Sequence, residues 1–175
     1  NLEYKNNEFY SNMKTVFSIH NLLFKGSFSP KVLPELFGYD YMPLVNGSVE
    51  LDGSVSFLKG GLNYCDQITT VSNTYAEEIK TPQYGEGLDG FLRSKSYYLM
   101  GIVNGIDYEE FNPQDDKLIF KNFNINSIDN KVQNKLSLQR ELGLPQKKDT
   151  PMIGLISRLT HQKGCDLIVS IIDRL

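Results

Sequence analysis

Apolar residues along this chain fall in short bursts, separated by polar and glycine-rich stretches. Thr15-Val16-Phe17-Ser18-Ile19 is a β-branched and aromatic run, and it predicts a buried strand that ends at His20-Asn21. Gln67 to Val71, Leu99 to Val103 and Met152 to Ile156 predict strands for the same reason. Elsewhere the apolar spacing changes to three and four. Val55, Leu58, Leu62 and Cys65 then share one face of a predicted helix. Ser72 is placed to cap a helix running from Asn73 to Ile79, while Thr74 with Glu77 offers a second capping box, so two starts stay open. Val132, Leu136, Gln139 and Leu142 outline another helix, ended by Gly143 at C′. A last helix from about Cys165 carries Leu167, Ile168, Ile171, Ile172 and Leu175 on its expected core face. Asn1 to Asn12 show no clear period. Lys25 to about Asp52, rich in Gly, Pro and aromatic residues, reads as loop with short helical pieces.

Strand and helix alternate in this pattern, which predicts an α/β fold with parallel sheets flanked by helices on both faces. The stretch from Asp107 to Asn126 carries Pro113 and many Asn and Asp residues, and reads as a linker. The expected division is therefore residues 1–107 as the later part of one Rossmann-like domain, 108–130 as hinge and linker, and 131–175 as the truncated start of a second.

With 175 residues, the chain is long enough for one ordinary domain or pieces of two. Its composition, 40% hydrophobic and 22% charged, is that of a globular domain. No apolar stretch approaches the roughly 18–20 residues of a membrane span, so no membrane partner is expected. A net charge of −3 argues against nucleic acid as the main partner. Cys65 and Cys165 match no zinc or CxxC spacing and read as buried thiols in a reduced compartment. The chain opens on Asn1 rather than methionine and closes on Leu175 within a helical pattern, which predicts an internal piece of a longer protein.

The candidate chemistry begins where the strand Met152 to Ile156 runs into Ser157-Arg158-Leu159-Thr160-His161-Gln162-Lys163-Gly164. In open α/β sheets, ligands bind beyond the carboxyl ends of the strands. Arg158 and Lys163 stand at such an end, just before a helix whose first N–H groups carry partial positive charge. A guanidinium fork with a flexible ammonium suits a pyrophosphate, whose oxygens point in several directions. The competing reading is two solvated surface cations beside a helix start. The order of glycine and lysine excludes the phosphate loop of nucleoside triphosphatases. His20 follows a buried strand and precedes a glycine-containing loop, whereas His161 reads as solvent-exposed. No carboxylate or cysteine spacing joins the two into a metal site. Asn104-Gly105 is a pair suited to positive φ, either a tight turn or part of a site. The carboxylates Glu77, Glu78, Glu109, Glu110, Asp115 and Asp116 read as solvated faces, with no pair in a glycosidase setting.

Five stretches, in this order, carry a family resemblance: "TVFSIHNLLFKGSF", "GSVSFLKGGLNYCDQITTVSNTYAEEI", "YGEGLDGFLRSKSYYLMGIVNGIDYEEFNP", "NKLSLQRELGL" and "SRLTHQKGCDLI". Together they resemble the bacterial glycogen synthases and plant starch synthases. That resemblance implies a GT-B fold of two Rossmann-like domains and a retaining glycosyltransferase. Glucose would pass from ADP-glucose to the non-reducing end of an α-1,4-glucan, with no metal or other cofactor. The donor identity, ADP- or UDP-glucose, is not fixed by this half. Carried onto this chain, the family pattern implies that Arg158 and Lys163 bind the donor diphosphate and stabilise it as it leaves. It implies that His20 contacts the donor sugar near the reacting centre and that Asn104 lines the sugar site. A front-side displacement through an oxocarbenium-like state would follow, with the departing diphosphate accepting the incoming hydroxyl proton. The chain departs from the family pattern at Asn73, and at Leu23, Phe24 and Lys25 beside His20. A family lysine–glycine loop is expected before Asn1 and a glutamate-bearing segment after Leu175, so the chain by itself is expected to be inactive. The expected setting is the cytoplasm, or a plastid if the source is a plant. Two rivals remain at this stage: another retaining GT-B transferase with a different donor, and a non-catalytic glucan-binding module.

Overall fold

A computed structural model describes residue 4 and residues 6–174. The chain divides into two compact units, one up to Gly105 and one from Ile106 onward. Among the described residues, no helix is long and apolar enough to cross a membrane.

The first unit begins with a 3₁₀ turn at Glu8–Tyr10, then strand β1 (Val16–Ile19), β2 (Ser27–Phe28), helix α1 (Val32–Phe37) and α2 (Met42–Val45). Next come β3 (Glu50–Leu51), β4 (Ser54–Ser56), α3 (Phe57–Tyr64), β5 (Gln67–Thr70), α4 (Asn73–Glu78), α5 (Asp89–Ser94) and β6 (Leu99–Gly101). Strands β1, β5 and β6 form a parallel sheet in that order, with Val16 opposite Gln67 and Ile68 opposite Leu99. Parallel neighbours require crossover connections, and α3 lies in the first of them, α4 and α5 in the second. Ile19 and Ile68 from the sheet pack with Leu62 of α3, Ile79 at the end of α4 and Leu92 of α5, all essentially dry. Each such side chain contributes roughly 1.5–3 kcal/mol through burial.

Two glycines set how closely the helices approach this sheet. A Cβ on Gly61 of α3 would stand 2.2 Å from the Phe17 ring of β1. A Cβ on Gly101, at the end of β6, would stand 2.2 Å from the Ser72 backbone, where α4 begins. Ser72 is the cap: its hydroxyl accepts the Tyr75 amide at 2.9 Å, and the alternative start at Thr74 is not used.

Strands β2, β4 and β3 form a small antiparallel sheet that the apolar spacing does not predict. Its hairpin turns on Asp52 (φ 51°) and Gly53 (φ 75°), the two positive-φ positions of a type I′ turn. Val55, expected at the start of a helix, therefore belongs to β4. The helix begins only at Phe57, where the Ser56 hydroxyl accepts the Lys59 amide at 3.1 Å.

The second unit contains a 3₁₀ segment at Ile125–Asn130, α6 (Lys131–Glu141), a 3₁₀ turn at His161–Lys163, α7 (Cys165–Ile171) and a final 3₁₀ turn at Ile172–Arg174. Helix α6 ends as expected, with Gly143 left-handed at φ 68°. The asparagine-rich stretch before it is fixed by its own side chains. Asn122 Nδ2 donates to the carbonyl of Asp116, and Asn134 of α6 exchanges two hydrogen bonds with the Lys121 backbone. Met152 to Ile156 does not form the expected strand. The second unit holds no other strand among the described residues, so there is no ladder for this segment to join, and Ile153 and Ile156 are 71% and 101% exposed. The expected core face of α7 is likewise not buried: Leu167 and Ile171 are exposed, and the side chain of Leu175 lies outside the described residues.

Candidate functional site

Parallel strands that start together also finish together, and here their carboxyl ends frame a recess of about 270 Å³. Its walls come from Ser18 and His20 on β1 and beyond, Thr69 and Thr70 on β5, and Val103 and Asn104 after β6. Strand alternation orients these groups. Ile19 is buried in the core, so its neighbours Ser18 and His20 face the other way and are exposed. Leu22, wholly buried, anchors the loop that follows His20, and its amide donates to the Tyr75 hydroxyl at 3.4 Å.

The recess floor is polar and internally bonded. The Ser18 and Thr69 hydroxyls lie 2.8 Å apart, and the buried Thr70 hydroxyl donates to the Ile19 carbonyl at 2.9 Å. The Ile102 amide donates to the Thr70 carbonyl at 2.7 Å, extending the ladder one residue past β6 and carrying the chain to Asn104. His20 and Asn104, far apart in sequence, thus line one recess. The backbone reason expected for Asn104-Gly105 does not hold: neither residue is left-handed, and a Cβ on Gly105 would meet nothing within 4 Å. The three hydroxyls were not singled out from the sequence. The alternation of Phe17, Ser18 and Ile19 and of Gln67, Ile68 and Thr69 was the available signal; Thr70 breaks it.

In the second unit, Arg158 and Lys163 stand at the two ends of two successive turns. The Thr160 amide donates to the Arg158 carbonyl at 2.8 Å, and the Lys163 amide to the Thr160 carbonyl at 2.9 Å. Gly164, left-handed at φ 69°, turns the chain into α7; its role is this conformation more than open space. Both cationic side chains are exposed, and among the described residues neither joins an ion pair or a side-chain hydrogen bond. Their charge is therefore uncommitted. The helix end adds little, because α7 has seven residues and carries Asp166 in its first turn. His161 is exposed, with Nδ1 3.6 Å from that Asp166.

The titratable groups with clear shifts lie away from the recess, just before β5. Burial pushes the Cys65 thiol up, and the amide and hydroxyl of Thr15 hold the Asp66 carboxyl down. Among the described residues, no group of three His, Cys, Asp or Glu side chains is placed to hold a metal ion.

The family model for the starch synthase catalytic domain matches residues 1–94. A glycogen synthase from Clostridium perfringens is 65% identical over 174 residues, covering 99% of this chain and 36% of the relative. One from Clostridium botulinum (strain Eklund 17B) is 57% identical over 175 residues, covering 99% of this chain and 37% of the relative. The solved catalytic domain of starch synthase IV from Arabidopsis thaliana, bound to ADP and acarbose, superposes with a TM-score of 0.85 at 32% identity. It covers 98% of this chain and 36% of that one. The chain thus spans a little over a third of the length of these relatives, and its α/β, GT-B type fold is theirs. It belongs to the starch synthase catalytic domain family.

Proposed function

We propose that this chain is a segment of a cytoplasmic glycogen or starch synthase that transfers glucose from ADP-glucose to the non-reducing end of an α-1,4-glucan, with retention and without a metal. The observation that carries the reading is the pair Arg158 and Lys163, two exposed cations without partners among the described residues, on successive turns before α7. Both cations are free to turn toward one anion, and a diphosphate would take charge-assisted bonds from them worth roughly 1.5–3 kcal/mol each. As the glycosidic C–O bond breaks, negative charge grows on the departing diphosphate. Fixed cations there stabilise the transition state more than the ground state, which is the condition for raising the rate. His20 and Asn104, on the recess of the first unit, take the sugar side of the reaction in this reading, His20 contacting the donor sugar and Asn104 lining its site. The acceptor hydroxyl loses its proton to the diphosphate. The likeness to a solved starch synthase bound to ADP and acarbose supports both the nucleotide and the glucan.

Replacing Arg158 by Ala in the full-length enzyme tests this. Loss of one preorganised charge contact should lower transfer by about 10²–10³ while glucan binding is retained. A wild-type rate in that variant removes the diphosphate role.

A further inference from the structure

His20 stands where β1 ends, so its side chain goes where the backbone of residues 19–22 sends it. Two side chains from other elements of the first unit hold that backbone directly. Thr70, the last residue of β5 and 3% exposed, lies opposite Ile19 in the parallel register. Its hydroxyl donates to the Ile19 carbonyl at 2.9 Å, and that carbonyl belongs to the peptide bond joining Ile19 to His20. On the far side of His20, the Tyr75 hydroxyl, from α4, accepts the Leu22 amide at 3.4 Å. Between these anchors the Asn21 side chain closes a local turn by accepting the Leu23 amide at 2.9 Å.

A peptide unit is planar, so holding its carbonyl or its amide holds the whole plane. Thr70 holds the plane before His20, and Tyr75 the plane after Asn21. The path between them is left little freedom, and Leu22, wholly buried, removes more. A buried hydroxyl has to find a partner, and in low dielectric the bond it makes is strong and directional. Thr70 also serves the recess twice. Its own carbonyl accepts the Ile102 amide at 2.7 Å, which carries the chain to Asn104, while its hydroxyl reaches to the peptide before His20. One strand end thus ties both groups on the sugar side to a single frame.

We infer that Thr70 and Tyr75 are positioning residues for His20, fixing the peptide planes on either side of it and so where its imidazole meets the donor sugar. The inference rests on the reading of His20 given above. Each hydroxyl acts through the backbone of residues 19–22.

The test measures kcat and KM for ADP-glucose in full-length enzyme carrying Thr70→Val, Thr70→Ser, Tyr75→Phe or His20→Ala. Two double variants add His20→Ala to Thr70→Val and to Tyr75→Phe. Thr70→Val should lower kcat about five- to tenfold, the scale of one buried hydrogen bond, with KM changed less than about threefold. Thr70→Ser, which keeps the donor, should restore most of the rate. Tyr75→Phe, which removes the longer bond, should cost about two- to threefold. In the His20→Ala background both substitutions should be silent, because groups acting through one side chain lose their effect once it is gone. Where that background turns over too slowly to read, the affinity for ADP-glucose relative to ADP replaces kcat in the same comparison. A wild-type kcat in either folded single variant overturns the inference for that residue, as does a loss that multiplies with that of His20→Ala. Where Thr70→Val does not fold, Thr70→Ala replaces it, judged against Thr70→Ser. If His20→Ala itself keeps the wild-type rate, the reading of His20 has failed. If His20→Ala loses rate while folded Thr70→Val and Tyr75→Phe do not, only the positioning role has failed.

Discussion

Asp66 stands just before β5 and engages Thr15 twice, accepting its backbone amide at 2.8 Å and its hydroxyl at 2.9 Å, with Lys14 Nζ at 3.7 Å. These donors favour the ionised carboxylate and hold its pKa below the ordinary value of 3.8. A group depressed by folding stabilises the native state above its unfolded pKa, and that contribution is lost as pH falls through the lower folded value. Asp66→Asn should therefore lower the unfolding temperature at neutral pH, and the gap from wild type should close as pH falls below the ordinary value of 3.8. A gap independent of pH would show that the carboxylate's charge is not involved. Thr15 and Asp66 could not be paired from sequence, because their meeting depends on β1 lying beside β5. His20, Arg158 and Lys163 were legible as candidates because each follows a recognisable apolar run, so their local setting is written in adjacent residues. Asn104 stood either as a tight turn or as part of a site; its backbone is not left-handed, and its place on the recess comes from the ladder bond at Ile102.

At the scale of elements, short apolar and β-branched runs located β1, β5 and β6, whose side chains fit a pleated, half-buried sheet. The small antiparallel sheet was missed although its turn chemistry was present: Asp52-Gly53, flanked by Leu51 and Val55, is a strong hairpin signal that the helical spacing from Val55 outweighed. Met152 to Ile156 shows the converse, a strand pattern with no ladder to join, since pairing is a property of two segments. The junction of β6 with α4 offers a direct test of packing. Gly101→Ala would push a methyl into the Ser72 backbone and should destabilise the fold by about 1–3 kcal/mol. Gly105→Ala, four residues further along in open space, should change stability by less than about 0.5 kcal/mol. Urea-unfolding midpoints of the two variants decide it, and equal shifts would mean that α4 is not seated against β6 as described.

For the whole molecule, the two units differ in how firmly they hold their candidate residues. The recess that carries His20 and Asn104 is built on a sheet whose core side chains are almost wholly excluded from water. In the second unit, the described residues bury only Gln139, while Ile153, Ile156, Leu159 and Val169 remain exposed. An unpacked apolar segment forfeits the burial energy that would fix it, so within this chain the turns bearing Arg158 and Lys163 have no buried core beneath them. Catalysis by fixed charge depends on placement, and a displacement of about 1 Å can cost about 10² in rate. On the reading proposed above, the 175-residue chain, a little over a third of its relatives' length, should therefore transfer glucose at about 10⁻⁴ of the full-length rate or less, two such losses compounded. Labelled glucose passing from ADP-glucose into glycogen provides the measurement. Near-full turnover by the isolated chain would mean that the cations are placed correctly without a hydrophobic core beneath them, and that packing does not limit the rate.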